Sequence, residues 1–237
     1  MDWSKPSKEL FDYVRALPFT HILSGLDYWI EKDGDTLYVA FAESNSAKAM
    51  GDNDWTANFD FFPATFDLYT GIKAHHGIAQ QYLGIRQLLM DCLYGGTVRQ
   101  IYIAGFSLGG ALTVAAVQDI GYHIDRDGLD VSVFGISFDG PRFFCWPNGL
   151  VKRAVKGRLL LVKTRCDPVV HVPCKIMLMP FTWRLRPFEI RLVLPNRWLS
   201  FWADYGRKVW IGKLWRVLPI QHYPSQVGKA LLEKFGA

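Results

Sequence analysis

The sequence lacks any continuous apolar run of the roughly 18 residues that a membrane-crossing helix needs, so no transmembrane segment is expected. Its first stretch, MDWSKPSKELFDYVRAL, contains acids and a proline but no continuous apolar core, and does not read as a signal peptide. A cytoplasmic location is therefore expected in preference to a secreted one. Cysteine is scarce. Cys92, Cys145, Cys166 and Cys174 lack the paired spacing of a metal site, and without an export signal they read as free thiols, one disulfide being the alternative. Glycine is plentiful, but no Gly-Lys-Ser/Thr follows a glycine loop and no Gly-x-Gly-x-x-Gly spacing occurs, which argues against a phosphate cradle. Internal repeats, low-complexity linkers and recognisable nucleic-acid-reading motifs are also missing, so no nucleic-acid partner is expected.

What is present suits one α/β unit. Half of the 237 residues are hydrophobic, enough for a sizeable core, and a single domain over residues 1–237 is expected. Residues 7–17 read as an opening helix and Asp35 to Ala42 as a strand. Ile72 to Cys92 reads as a long helix after a short lead-in. Val131 to Phe138 and Arg158 to Thr164 read as strands, as does Leu214 to Ile220. A final helix has Pro224 near its start and contains Ala230 to Phe235. Strands separated by helices imply a mostly parallel central sheet with helices on both faces.

Charge is unevenly placed on this chain of net charge +5: Lys175 to Arg216 holds nine Lys/Arg against Glu189 and Asp204, a local +7. Five of the nine tryptophans (Trp183, Trp198, Trp202, Trp210 and Trp215) share that stretch. Basic residues interleaved with tryptophan suit peripheral contact with an anionic lipid surface. The bland alternative is a pair of strands with aromatics packed inward and arginines solvated.

The chemistry centres on QIYIAGFSLGGALTVAAVQ, residues 100–118. Ile101, Tyr102 and Ile103 suit a buried strand, and Ala111 to Gln118 are good helix formers. A reversal within five residues needs little bulk at the turn, which the glycines supply. Gly105-x-Ser107-x-Gly109 is the pattern of the nucleophile elbow of α/β-hydrolases, where a turn lifts the serine oxygen above the sheet beside a helix N-terminus. A structural turn is the alternative. In that superfamily the acid and then the histidine follow the serine. Asp167 lies just beyond the apolar strand RLLLVKT, with Asp139 as runner-up at the end of another strand. His222, in the loop PIQHYPSQ, can lean over the elbow, whereas His171 is four residues from Asp167 and shares its loop. His21 and His123 read as surface or helix-end residues, and His75 and His76 as ligands of nearby backbone.

With these residues placed, the chain resembles the class 3, fungal-type triacylglycerol lipases over roughly residues 35–230. LYVAFAESNSAKAMGDNDWTANFDF resembles the family's strand, oxyanion loop, short lid and Asp-Trp-x-x-Asn-x-Asp segment, and KAHHGIAQQY its Val-His-x-Gly-Phe stretch, with His75 at the family's histidine. IYIAGFSLGGALTVAAV matches the elbow, although the family usually has histidine where Phe106 stands. SFDGPRFF is similar to its Phe-Gly-x-Pro-Arg strand end, TRCDPVVHVP to its acid block, and YGRKVWI to a late strand pair; QHYPSQV falls where its histidine belongs.

The resemblance implies an α/β-hydrolase acting on a lipid or small ester through Ser107, Asp167 and His222. It places the oxyanion donors at Ser44 and the backbone N–H of Leu108, and a short lid at residues 45–55. Neither a metal nor an organic cofactor is implied. Where the family has Phe-Arg-Gly before its donor, this chain has Phe41-Ala42-Glu43. A lipase, a phospholipase and a small-ester esterase all fit this reading. The rival from another class is a catalytically inactive lipid-binding or scaffolding protein on the same fold.

Overall fold

A computed structural model describes residues 1–22, 25–44, 62–67, 71–146, 148–165, 167–171, 173, 176–178, 199–211 and 223–236. Helix α1 (Lys8–Arg15) starts where the Ser7 hydroxyl accepts the Leu10 N–H at 3.1 Å. Strands β1 (Thr20–His21), β2 (Asp27–Asp33) and β3 (Thr36–Phe41) follow, then β4 (Pro63–Asp67) and β5 (Ile72–His75). Next come α2 (His76–Tyr94), β6 (Gln100–Phe106), α3 (Leu108–Asp127), β7 (Ser132–Phe138) and β8 (Phe144–Cys145). The rest comprises α4 (Gly149–Ala154), β9 (Leu159–Thr164), a 3₁₀ turn at Val169–His171, β10 (Ile176–Leu178), β11 (Leu199–Ala203), β12 (Arg207–Ile211) and α5 (Pro224–Phe235).

The main sheet has seven strands in the order β1-β2-β3-β6-β7-β9-β12. From β3 to β12 every pairing is parallel, while β1 and β2 add an antiparallel edge. Side chains alternate faces with the strand period of two. Val39, Phe41, Ile101, Ile103, Val133, Leu159 and Leu161 pack on one side with α2 and α3. Ala40, Ala104, Phe106, Ile136, Phe138, Leu160 and Val162 pack on the other with α1 and α5. Sheet strands covered on both faces are why these segments read as continuous apolar runs. Leu10, Phe11 and Val14 of α1 are buried, and each contributes about 1.5–3 kcal/mol by leaving water.

A smaller antiparallel sheet, β10-β11-β8-β5-β4, packs through Phe66, Phe143 and Phe144, with Phe66 and Phe143 edge-to-face at 5.1 Å. Two sequence expectations change here. Ile72 to His75 is strand β5, so the long helix starts only at His76, where the His75 Nδ1 accepts the Ile78 N–H at 3.4 Å. The strands around YGRKVWI are not partners of each other: β12 runs parallel to β9, whereas β11 is antiparallel to β8 and β10. The stretch Leu214 to Ile220 lies outside the described residues. Cys92 is a free thiol and Cys145 is buried in β8; Cys166 and Cys174 also lie outside the described residues.

Candidate active site

Because β3, β6, β7 and β9 are parallel neighbours, their carboxyl ends share one edge of the sheet. Ser44 lies just beyond β3, Ser107 beyond β6, Asp139 beyond β7 and Asp167 beyond β9. The ends of β6 and β9 are two strand spacings apart, about 10 Å, which leaves room for one imidazole between a serine and a carboxylate.

Ser107 is the single residue between β6 and α3, and it holds φ 56° and ψ −119°. A non-glycine residue there costs on the order of 1–3 kcal/mol, held by its surroundings. Its N–H donates to the Phe138 carbonyl at 2.9 Å, and its carbonyl accepts the Ala111 N–H at 3.2 Å. The flanking glycines are required by contact: a Cβ on Gly105 would lie 2.3 Å from the Gly109 carbonyl oxygen, and one on Gly109 would lie 2.1 Å from that of Phe41. The second contact also sets the β3 end, and the loop leading to Ser44, against the first turn of α3. Leu108 opens α3, so its N–H has no intrahelical acceptor and belongs to the positive end of the helix dipole.

The two acids differ in what they hold. Asp139 is fully buried, and its carboxylate accepts the Thr164 N–H at 2.5 Å and the Thr164 hydroxyl at 2.7 Å. It thereby ties the end of β7 to the end of β9. Asp167 is equally buried, and its Oδ1 accepts the Val169 N–H at 2.8 Å, turning the chain into the 3₁₀ turn.

A buried charge cluster beneath this turn escaped the sequence reading. Lys163 Nζ donates to Asp204 at 2.9 Å and to the carbonyls of Gly140 and Val170 at 3.2 and 3.3 Å. Arg142 Nη1 donates to the Pro173 carbonyl at 2.7 Å and also to that of His171, and its Nε sits 3.4 Å from Asp204. Lys208 lies 3.2 Å from the same carboxylate. Burial works to raise the Asp204 pKa, but Lys163, Lys208 and Arg142 outweigh it and hold the group below its usual value. Burial pushes the Lys163 amine down. The cluster fixes both ends of the acid loop. A lysine ending an apolar strand was the one sequence signal; its partner, 41 residues on, carried none.

His171 belongs to that loop. Its Nδ1 lies 3.4 Å from Arg142 Nη2, and its ring stacks on Trp210 at 6.0 Å. Burial, with Arg142 and Lys163 nearby, lowers its pKa. His222 and residues 45–55 lie outside the described residues. Glu43, before Ser44, is bound by Arg15 of α1 at 2.5 Å, a contact across 28 residues that no local pattern announces. Among the described residues no group of three His, Cys, Asp or Glu side chains could hold a metal ion, and no helix is long and apolar enough to cross a membrane.

This architecture is that of α/β-hydrolase lipases of known structure. A Rhizomucor miehei lipase–propeptide complex is 17% identical, with 93% of this chain and 68% of that one covered at a TM-score of 0.51. A triacylglycerol lipase from Penicillium expansum is 13% identical, with 88% and 76% covered and the same TM-score of 0.51. A fungal lipase–inhibitor complex is 18% identical over 68% of this chain at a TM-score of 0.48, and this chain spans only 61% of its length. No curated protein sequence matches. The sequence model of the family described as Lipase (class 3) matches residues 44–177, more than half of the 237-residue chain and including Ser44, the elbow and Asp167. The chain belongs to the class 3 lipase family.

Proposed function

We propose that the protein is a serine carboxylic-ester hydrolase acting on lipid-like esters. The observation that carries this reading is Ser107, alone between a buried strand and a helix N-terminus, in a backbone conformation that a mere connection has no need of. The Ser107 hydroxyl attacks the ester carbonyl carbon while His222 removes its proton. The imidazolium is stabilised by Asp167, which also orients the ring. The tetrahedral oxyanion receives hydrogen bonds from the Leu108 N–H and from Ser44. Collapse expels the alcohol with a proton from His222, and water then releases the acid by the same steps in reverse order.

Two features support these assignments over their rivals. Both oxygens of Asp139 are engaged by Thr164, and the Nδ1 of His171 faces a guanidinium, so each already serves the framework. Labelling with a fluorophosphonate, followed by mapping of the modified peptide, tests the reading; a label on Ser107 supports it. Within Lys175–Arg216, the basic and tryptophan-rich stretch docks the enzyme on anionic lipid. An inactive lipid-binding protein would leave Ser107 unlabelled and esters intact.

A further inference from the structure

We propose that Arg15 of helix α1 is a positioning residue for the oxyanion loop, an assignment that rests on the ester-hydrolase reading above. Its guanidinium meets one oxygen of Glu43 twice, with Nη2 at 2.5 Å and Nε at 3.1 Å. The same group lies over two rings, 5.6 Å from the centroid of Phe11 and 5.8 Å from that of Phe106. Glu43 immediately precedes Ser44, and Phe106 immediately precedes Ser107. One side chain thus grips the residue before the proposed oxyanion donor and the residue before the proposed nucleophile.

The sequence itself points to this clamp. Glu43 and Phe106, one before each proposed site serine, both meet on Arg15. A carboxylate in this loop calls for a cation, and a guanidinium beside an aromatic face gains a second attraction. The rest of the loop is already held: the Ala42 N–H donates to Asp27 at 3.0 Å, and Phe41 lies against Gly109. The Glu43 side chain adds an anchor immediately before Ser44. Both charged side chains keep about a third of their exposure (31% and 32%), so dissolved salt reaches the pair.

The test uses the full chain and a soluble p-nitrophenyl ester, with kcat, KM and the rate of Ser107 labelling measured for each variant. Arg15→Met and Glu43→Gln should each lower kcat by about tenfold, less than the roughly 10²-fold of deleting an oxyanion donor, with KM changed less than about twofold. Arg15→Lys, which keeps the charge but loses the two-donor fork and the ring contacts, should recover only part of the kcat lost in Arg15→Met. Lys8→Met, which breaks the exposed Lys8–Asp12 pair on the same helix, should change nothing. Salt near 1 M should slow the wild type towards Arg15→Met and leave that variant unaffected. Wild-type kcat in Arg15→Met and Glu43→Gln, or losses that only follow a falling unfolding temperature, would overturn the clamp while Ser107-dependent turnover stands. A wild type without Ser107-dependent turnover would remove the hydrolase reading and the clamp together.

Discussion

At Ser107, backbone strain and the proposed nucleophile coincide in one residue, and the proposal divides the surrounding side chains between framework and reaction. Ser107→Ala and His222→Ala should each reduce ester turnover by roughly 10⁴-fold, because members of such a unit fail together. Steady-state assays at saturating substrate read this directly. Asp167→Asn should be nearly as damaging. Asp139→Asn should instead lower stability by about 1–3 kcal/mol, since an amide cannot accept both Thr164 hydrogen bonds, and leave kcat within a few-fold. Chemical denaturation alongside kinetics separates the two. An intact rate in the first and a lost rate in the second would exchange their roles. Ser44→Ala should cost on the order of 10²-fold in kcat, the scale of one oxyanion donor; an unchanged rate would move that donor elsewhere.

Among the elements, α3 ties the elbow to a polar network on its other flank. Asp119 accepts the Tyr82 hydroxyl at 2.9 Å and Arg86 Nε at 2.7 Å, while His123 lies between Arg86 at 3.0 Å and the Tyr94 hydroxyl at 2.7 Å. Burial lowers the His123 pKa from 6.5, with Arg126 and Arg86 assisting and Asp119 and Asp127 opposing. A histidine whose pKa is depressed by folding binds more protons when unfolded. Stability should therefore fall as pH drops from above 6.5 towards the folded-state pKa, and His123→Gln should flatten that part of the profile. Unfolding temperatures between pH 5 and 7 measure it; an unchanged slope would remove His123 as the cause.

Sequence reading succeeded for elements whose physics is local. Strand β6, the Gly105-Ser107-Gly109 turn and α3 form one continuous stretch, so their apolar run, glycines and helix formers could all be read together. It failed where strands are short or paired at long range. Ile72 to His75 runs straight into α2, and four residues of strand cannot be told from a helix lead-in without partners β4 and β8. Strand β2, DYWIEKD, escaped because it is charged and only partly covered, and its place comes from β3.

Across the whole molecule, the candidate site is an edge phenomenon. Parallel pairing of β3, β6, β7 and β9 gathers residues from 44 to 167 that no local pattern joins, and the Arg15–Glu43 and Lys163–Asp204 pairs brace that edge across 28 and 41 residues. The strand-end positions of Ser107 and Asp167 were legible because each follows an apolar strand; the ion pairs were not, because surface and buried charges look alike in sequence. The local +7 of Lys175–Arg216 predicts binding to anionic but not zwitterionic vesicles, lost when salt near 1 M shortens the Debye length to roughly 3 Å. Co-sedimentation checks it, and equal binding to both lipids would leave the basic stretch without that role.

The proposed chemistry stands or falls with Ser107 as an activated nucleophile. The most direct measurement is peptide mapping after fluorophosphonate labelling of the wild type and of His222→Ala. One modified residue, Ser107, is expected, with labelling slowed by several orders of magnitude when the histidine is removed. A label confined to another residue, or equal labelling rates in the two proteins, would contradict it.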